Sequence, residues 1–141
     1  MAGKEEVVLD ASVLVQWYLI EQHSAHCLRA RDAYVKGAIQ VHVPDLVYYE
    51  VCNALKYSSN MGCEELITAA KSMALYGFDE APFAQTAEET LRLSKEFDIS
   101  VYDASYVALA RKSGAVMYTC DEKLLKKFSK CCKHISEFQL G

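Results

Sequence analysis

The sequence predicts an α/β fold with a mainly parallel sheet covered by helices on both faces. Short apolar runs alternate with longer segments of helical period along the whole chain, the pattern of strand-helix-strand units. Two of the runs, Val7-Val8-Leu9 and Val116-Met-Tyr-Thr119, are nearly continuous in apolar character, as strands buried on both faces are. Each is followed within two residues by an acid and then a helix, at Asp10 and at Asp121.

Taken in order, Val7 to Leu9 forms a buried strand, and Ser12 then caps a short helix carrying Leu14, Trp17 and Tyr18. Residues 23 to 37 place Cys27, Leu28, Tyr34 and Val35 at helical intervals, with Gly37 as the terminating residue. Gln40 to Val43 alternates as a strand, and Pro44 suits the first turn of a helix through about Ser58. On that helix Leu46, Glu50, Asn53 and Tyr57 share one side, while Val47, Val51, Ala54 and Leu55 turn inward, so that Glu50 borders the core. Two amphipathic helices follow, near 63 to 76 and 84 to 97, separated by a break from Gly77 to Pro82. Asp103 caps a helix that bears Tyr106, Val107, Leu109 and Ala110 and stops at Gly114. After the strand 116 to 119, a helix runs from Glu122 to about Ser129, with a closing strand at 134 to 138.

A chain of 141 residues, 52% hydrophobic, with two prolines and no low-complexity linker, reads as a single domain over 1-141. Apolar stretches such as 11 to 20 are far short of the ~20 residues that cross a bilayer. The acids before the first strand do not make a secretory leader, so a cytoplasmic location and no membrane partner are expected. Six cysteines and four histidines show no zinc spacing. The net charge of −4 argues against broad nonspecific affinity for nucleic acid, so a polyanionic substrate has to be handled locally.

The chemistry resides in the carboxylates. One Asp at a strand end is ordinarily a cap worth about 1 kcal/mol; the set is more informative. Asp10 and Asp121 each have a hydroxyl within two positions, Ser12 and Thr119, and ligands of parallel sheets bind beyond the strands' carboxyl ends. Glu50 is flanked by Tyr49, Val51 and Cys52, apolar surroundings for a carboxylate. Clustered carboxylates repel unless a cation compensates. Oxygen donors without a Cys/His cluster select Mg²⁺ or Mn²⁺ over zinc, and the matching chemistry is phosphodiester hydrolysis, in which a second ion about 4 Å away can assist.

Four ordered stretches, Val7-Val-Leu-Asp-Ala-Ser-Val-Leu-Val15, Pro44-Asp-Leu-Val-Tyr-Tyr-Glu-Val-Cys-Asn-Ala-Leu55, Val101-Tyr-Asp-Ala-Ser-Tyr-Val-Ala-Leu-Ala110 and Tyr118-Thr-Cys-Asp-Glu-Lys-Leu124, carry a family likeness. From about Val7 to Phe138 the sequence resembles PIN-domain ribonucleases, and its size is similar to that of the VapC toxins of toxin-antitoxin pairs. The resemblance places the family's acidic quartet, catalytic and metal-binding, on Asp10, Glu50, Asp103 and Asp121, with Ser12, Thr119 and Asn53 in support. It implies a three-layer α/β/α PIN-like domain, a metal-dependent endoribonuclease with an RNA substrate, commonly a homodimer, held inactive by a small antitoxin protein.

Lys123, Lys126, Lys127 and Lys130 stand at helical spacing after Asp121 and can steer RNA, although such a row is more often a solvated helix face. Trp17, Tyr18 and the helices near 63 to 97 offer apolar faces either to the core or to dimerisation and antitoxin docking. An RNA-processing PIN nuclease would use the same acids, and a noncatalytic PIN-like module that binds RNA or protein would not need all four. A haloacid-dehalogenase-type phosphatase requires an acid two positions after the first Asp, where this chain has Ser12.

Overall fold

A computed structural model describes residues 3–139. Its centre is a five-stranded, wholly parallel sheet in the order β3-β2-β1-β4-β5. Strand β1 (Glu5–Leu9) is exposed at its two acids and completely buried at Val7, Val8 and Leu9. It lies between β2 (Ile39–Pro44), where Val7 pairs with Val41, and β4 (Val116–Thr119), where Val7 pairs with Val116 and Leu9 with Tyr118. The edges are β3 (Asp79–Ala81) and β5 (Cys132–His134).

Parallel neighbours need crossovers, and the crossovers supply the helices. From β1 the chain passes through α1 (Ala11–Leu14), a 3-10 turn (Val15–Trp17) and α2 (Ser24–Val35) to β2, then through α3 (Val47–Ser58) and α4 (Cys63–Leu75) to β3. It returns through α5 (Phe83–Phe97) and α6 (Val101–Ser113) to β4 on the other side of β1, and α7 (Glu122–Lys127) leads on to β5. Right-handed crossovers in opposite directions place the two groups of helices on opposite faces of the sheet. Helix α6 packs on β1, β2 and β4 and under α5; its seven consecutive residues from Ala104 to Ala110 are all buried. A helix enclosed on nearly every side carries no amphipathic stripe.

The expected cap glycines are found in place. Gly37 and Gly114 have φ of 80° and 64°, and beyond Gly114 the Ala115 N–H closes the helix on Ala110 O at 3.0 Å. Other boundaries differ. Ser100, not Asp103, caps α6: its hydroxyl accepts the Asp103 N–H at 3.0 Å, leaving Asp103 in the first turn. Asp10 rather than Ser12 occupies the N-cap position of α1. Pro44 is the last residue of β2, where the ladder passes on to Asp45, whose N–H donates to Ala81 O at 3.1 Å.

The break expected at 77 to 82 contains β3, an edge strand with two acids in three residues and therefore no apolar period. His42 on β2 binds it, its ring nitrogens lying 3.0 Å from Asp79 on β3 and 2.9 Å from Glu6 on β1. The closing strand begins earlier than expected, at Cys132, and Ile135–Glu137 is a 3-10 turn. Trp17 is buried against Tyr76 and Phe78, and its indole N–H donates to Cys27 O at 2.9 Å. It belongs to the core and is not a docking surface. All six cysteines are free thiols.

Candidate active site

The order of the strands fixes where a site can form. The chain leaves β1 in one direction and later crosses back to β4 on its other flank, so the crevice between the carboxyl ends of β1 and β4 is a topological switch point. Asp10 and Asp121 both stand there, and the Asp10 N–H reaches Tyr118 O at 3.4 Å. Glu50 comes from α3 and Asp103 from the first turn of α6.

The four acids are held in different ways. Asp10 is 5% exposed, and its two carboxylate oxygens accept hydroxyl hydrogen bonds at 2.5 Å, one from Ser12 and one from Thr119. These hydroxyls are themselves fixed: the Cys120 N–H donates to Ser12 Oγ and the Asp121 N–H to Thr119 Oγ1, both at 3.0 Å. Glu50 Oε1 accepts from the Tyr106 hydroxyl at 2.6 Å. Asp121 Oδ1 accepts the Lys123 N–H at 2.8 Å at the start of α7.

The charges act on one another. Burial pushes the Asp10 carboxyl up to about 6, with the Ser12 and Thr119 hydroxyls opposing and the Asp103 charge adding. Glu50 is raised above the usual carboxylate range by burial, opposed by the Tyr106 hydroxyl and reinforced by Asp103. Asp103 is raised by burial and then by the Asp121 charge. The site therefore holds mutually repelling carboxylates that are partly withdrawn from water, which is a standing demand for positive charge. Every predicted donor in it is a hard oxygen, which suits a magnesium-like ion. Among the described residues no three Asp, Glu, His or Cys side chains stand close enough together to hold a metal ion by themselves; an ion of this kind uses few carboxylates and keeps much of its water.

Of the supporting residues, Ser12 and Thr119 join the site directly. Asn53 is exposed one turn beyond Glu50 and lines a hollow of about 490 Å³ together with Tyr49, Glu50 and Tyr102. Another hollow, of about 530 Å³ between α5 and α6, is lined by residues such as Gln85, Glu89, Arg92 and Arg111 and by none of the four acids. Its salt bridge at 3.1 Å between Glu89 and Arg111 and its distance from the strand ends leave it outside the chemistry.

The row of lysines is only partly a row. Helix α7 stops at Lys127, so Lys130 sits in the following turn, and Lys127 Nζ donates to Phe97 O at 2.8 Å, closing the end of α5. Lys123, Lys126 and Lys130 remain exposed. Sequence reasoning missed Tyr106 as a site residue. Its place three residues after Asp103, one helical turn on, was the available signal.

Comparisons with known proteins place the chain in a family and support its fold. Ribonuclease VapC3 of Pyrobaculum aerophilum is 32% identical over 133 residues, 87% of this chain and 95% of that one. Exonuclease VapC9 of the same organism is 30% identical, over 78% of this chain and 84% of its own. In structure, the toxin-antitoxin complex from Klebsiella pneumoniae superposes with a TM-score of 0.67 at 18% identity, covering 94% of this chain and 99% of that chain, which supports the three-layer fold. The profile of the PIN domain matches residues 7–130, and this chain belongs to the PIN domain family.

Proposed function

We propose that this chain is a divalent-metal-dependent endoribonuclease, acting as one domain, and the toxin of a VapBC-type pair. The observation that carries the reading is electrostatic: burial raises Asp10, Glu50 and Asp103, the Asp103 charge adds to the shift of Asp10 and of Glu50, and the Asp121 charge adds to that of Asp103, although the four acids come from four separate segments. A purely structural set of caps would gain nothing from that repulsion. The names of the similar proteins, ribonuclease VapC3 and exonuclease VapC9, support the nuclease class.

The residues divide the work. Asp10, Glu50, Asp103 and Asp121 would hold Mg²⁺ or Mn²⁺ with water completing the shell. Bound there, a divalent ion supplies the positive charge that makes water a better nucleophile and offsets the charge of a phosphodiester. Ser12 and Thr119 lock Asp10 in one rotamer, the Tyr106 hydroxyl orients Glu50, and the amide at the start of α7 fixes Asp121. The site is thereby organised before substrate arrives.

An antitoxin partner fits the groove of about 450 Å³ lined mainly by α4, with Tyr18, Met61, Ala69 and Ser72 on its walls. Half-buried Tyr18, its hydroxyl 3.0 Å from Ser72 Oγ, forms one wall of that groove. The exposed apolar residues Phe83 and Leu91 on α5 suit a homodimer contact. No helix among the described residues is long and apolar enough to cross a membrane.

The test is cleavage of one RNA in linear and circular form with Mg²⁺, Mn²⁺ or EDTA, by the wild-type chain and by Asp10→Asn and Asp103→Asn. Metal-dependent opening of the circle, lost in both variants, is the expected result. Trimming of the linear form alone would make the enzyme an exonuclease, and cutting that survives both substitutions would remove the quartet from the mechanism.

A further inference from the structure

Two aromatic rings flank the acids and serve neither the core nor the carboxylates. Tyr49 immediately precedes Glu50 on α3 and is 81% exposed; Tyr102 immediately precedes Asp103 on α6 and is 61% exposed. Both line the same hollow of about 490 Å³, with Glu50 and Asn53 as its other walls. We propose that Tyr49 and Tyr102 are stacking platforms that seat unpaired nucleobases next to the bond the acids cut. The inference rests on the ribonuclease reading and adds a selection that the four acids cannot make.

Three physical considerations lead to it. The chain carries a net charge of −4 and the site is a concentration of carboxylates, so phosphate attraction gives little affinity where the cut is made. Stacking on an aromatic face is indifferent to that field and to sequence, because every base has a π-face. Asn53, exposed on the wall of the same hollow, presents a donor and an acceptor together, the pairing that the edge of an unpaired base requires. In a duplex the faces are already stacked and the edges already paired, so neither the tyrosines nor Asn53 has a partner. The two rings are continuous with the acids through Glu50 and Asp103, so a base seated on them keeps its own backbone beside the carboxylates.

The test uses the full chain in EDTA, with a short labelled single strand containing one 2-aminopurine and with the duplex of the same strand. The wild type should bind the single strand more tightly and quench the 2-aminopurine. Tyr49→Ala and Tyr102→Ala should each weaken single-strand binding by about 5- to 150-fold and abolish the quench, while Tyr49→Phe and Tyr102→Phe keep both. Because the rings are exposed, melting temperatures should not move. Alanine variants that bind and quench like the wild type would overturn the inference, as would phenylalanine variants that fail as badly as alanine. So would a drop in the mass of the assembly with RNA binding intact, which would assign the rings to a second copy of the chain. A wild type that cuts RNA in Mg²⁺ while treating single strand and duplex alike sinks this inference alone. A wild type that neither binds nor cuts any RNA sinks the ribonuclease reading and this one with it.

Discussion

Replacing Asp10 by Asn should make the metal-free protein more stable and inactive. Burial moves this carboxyl from 3.8 to about 6, so ionising it costs about 3 kcal/mol more in the folded chain than in the unfolded one. The sign follows from proton binding. Between those two values the folded state holds a proton that the unfolded state has lost, so the stability associated with this group is full below about pH 4 and lost as pH rises through about 6. Asparagine keeps the shape and never ionises. It can accept only one of the two hydroxyl bonds that Ser12 and Thr119 now make and must donate to the other, which takes back about 1 kcal/mol. A net gain of about 2 kcal/mol at neutral pH is left, or roughly 5 to 8 °C in Tm for a chain of this size. Differential scanning calorimetry in EDTA at about pH 7.5 and about pH 4 is the assay, with nuclease activity measured on the same samples. The wild type should recover the deficit when Mg²⁺ is added, and the variant should not. An unchanged or lowered Tm at neutral pH, or a gain that does not shrink in acid, would refute the reasoning.

Tyr106→Phe removes the hydroxyl that favours ionised Glu50; the Glu50 carboxyl should rise further, and the acid limb of the pH-rate profile should move to higher pH, with activity recovering in alkali. Thr119→Val takes a donor from Asp10 and an acceptor from the Asp121 N–H in a fully buried position. It should cost about 1 to 3 kcal/mol, read as a lower urea midpoint at constant slope, and Thr119→Ser should restore most of it. Joint replacement of Lys123, Lys126 and Lys130 by Ala should flatten the logarithmic salt dependence of single-strand RNA binding by up to about 2, whereas Lys127→Ala, which breaks only the bond to Phe97 O, should leave the slope unchanged and lower the Tm slightly.

The sheet and its acids were legible because they rest on strong local signals. The buried runs at Val7 to Leu9 and Val116 to Thr119 have no polar face to confuse them, and each delivers its Asp at a strand's end. The glycine stops at Gly37 and Gly114 depend on a backbone conformation that few other residues adopt. What was not legible depended on pairing between distant segments. Strand β3 exists because Asp79 and Ala81 find His42 and Pro44 on β2, and nothing within the three residues announces it. The boundary of α6 was misread because Ser100 and Asp103 are both good capping residues, and the first to come along the chain took the bond. The link between Tyr106 and Glu50 spans two helices far apart in sequence. The periodicity of either helix shows which side turns inward but not which residue on the other helix it will meet.

The position of β4 beside β1 also sets a time at which the site can exist. Asp10 is made well before its partners: the hydroxyl of Thr119 that holds it and the strand that walls it lie more than a hundred positions later. A nascent chain emerging from the ribosome carries Asp10, Glu50 and Asp103 as separate solvated acids until β4 slides into the gap beside β1 and Asp121 follows. Long-range pairing of this kind forms late and slowly. For a protein able to cut RNA, the site is thus incomplete on the nascent chain until β4 and Asp121 have been made and paired.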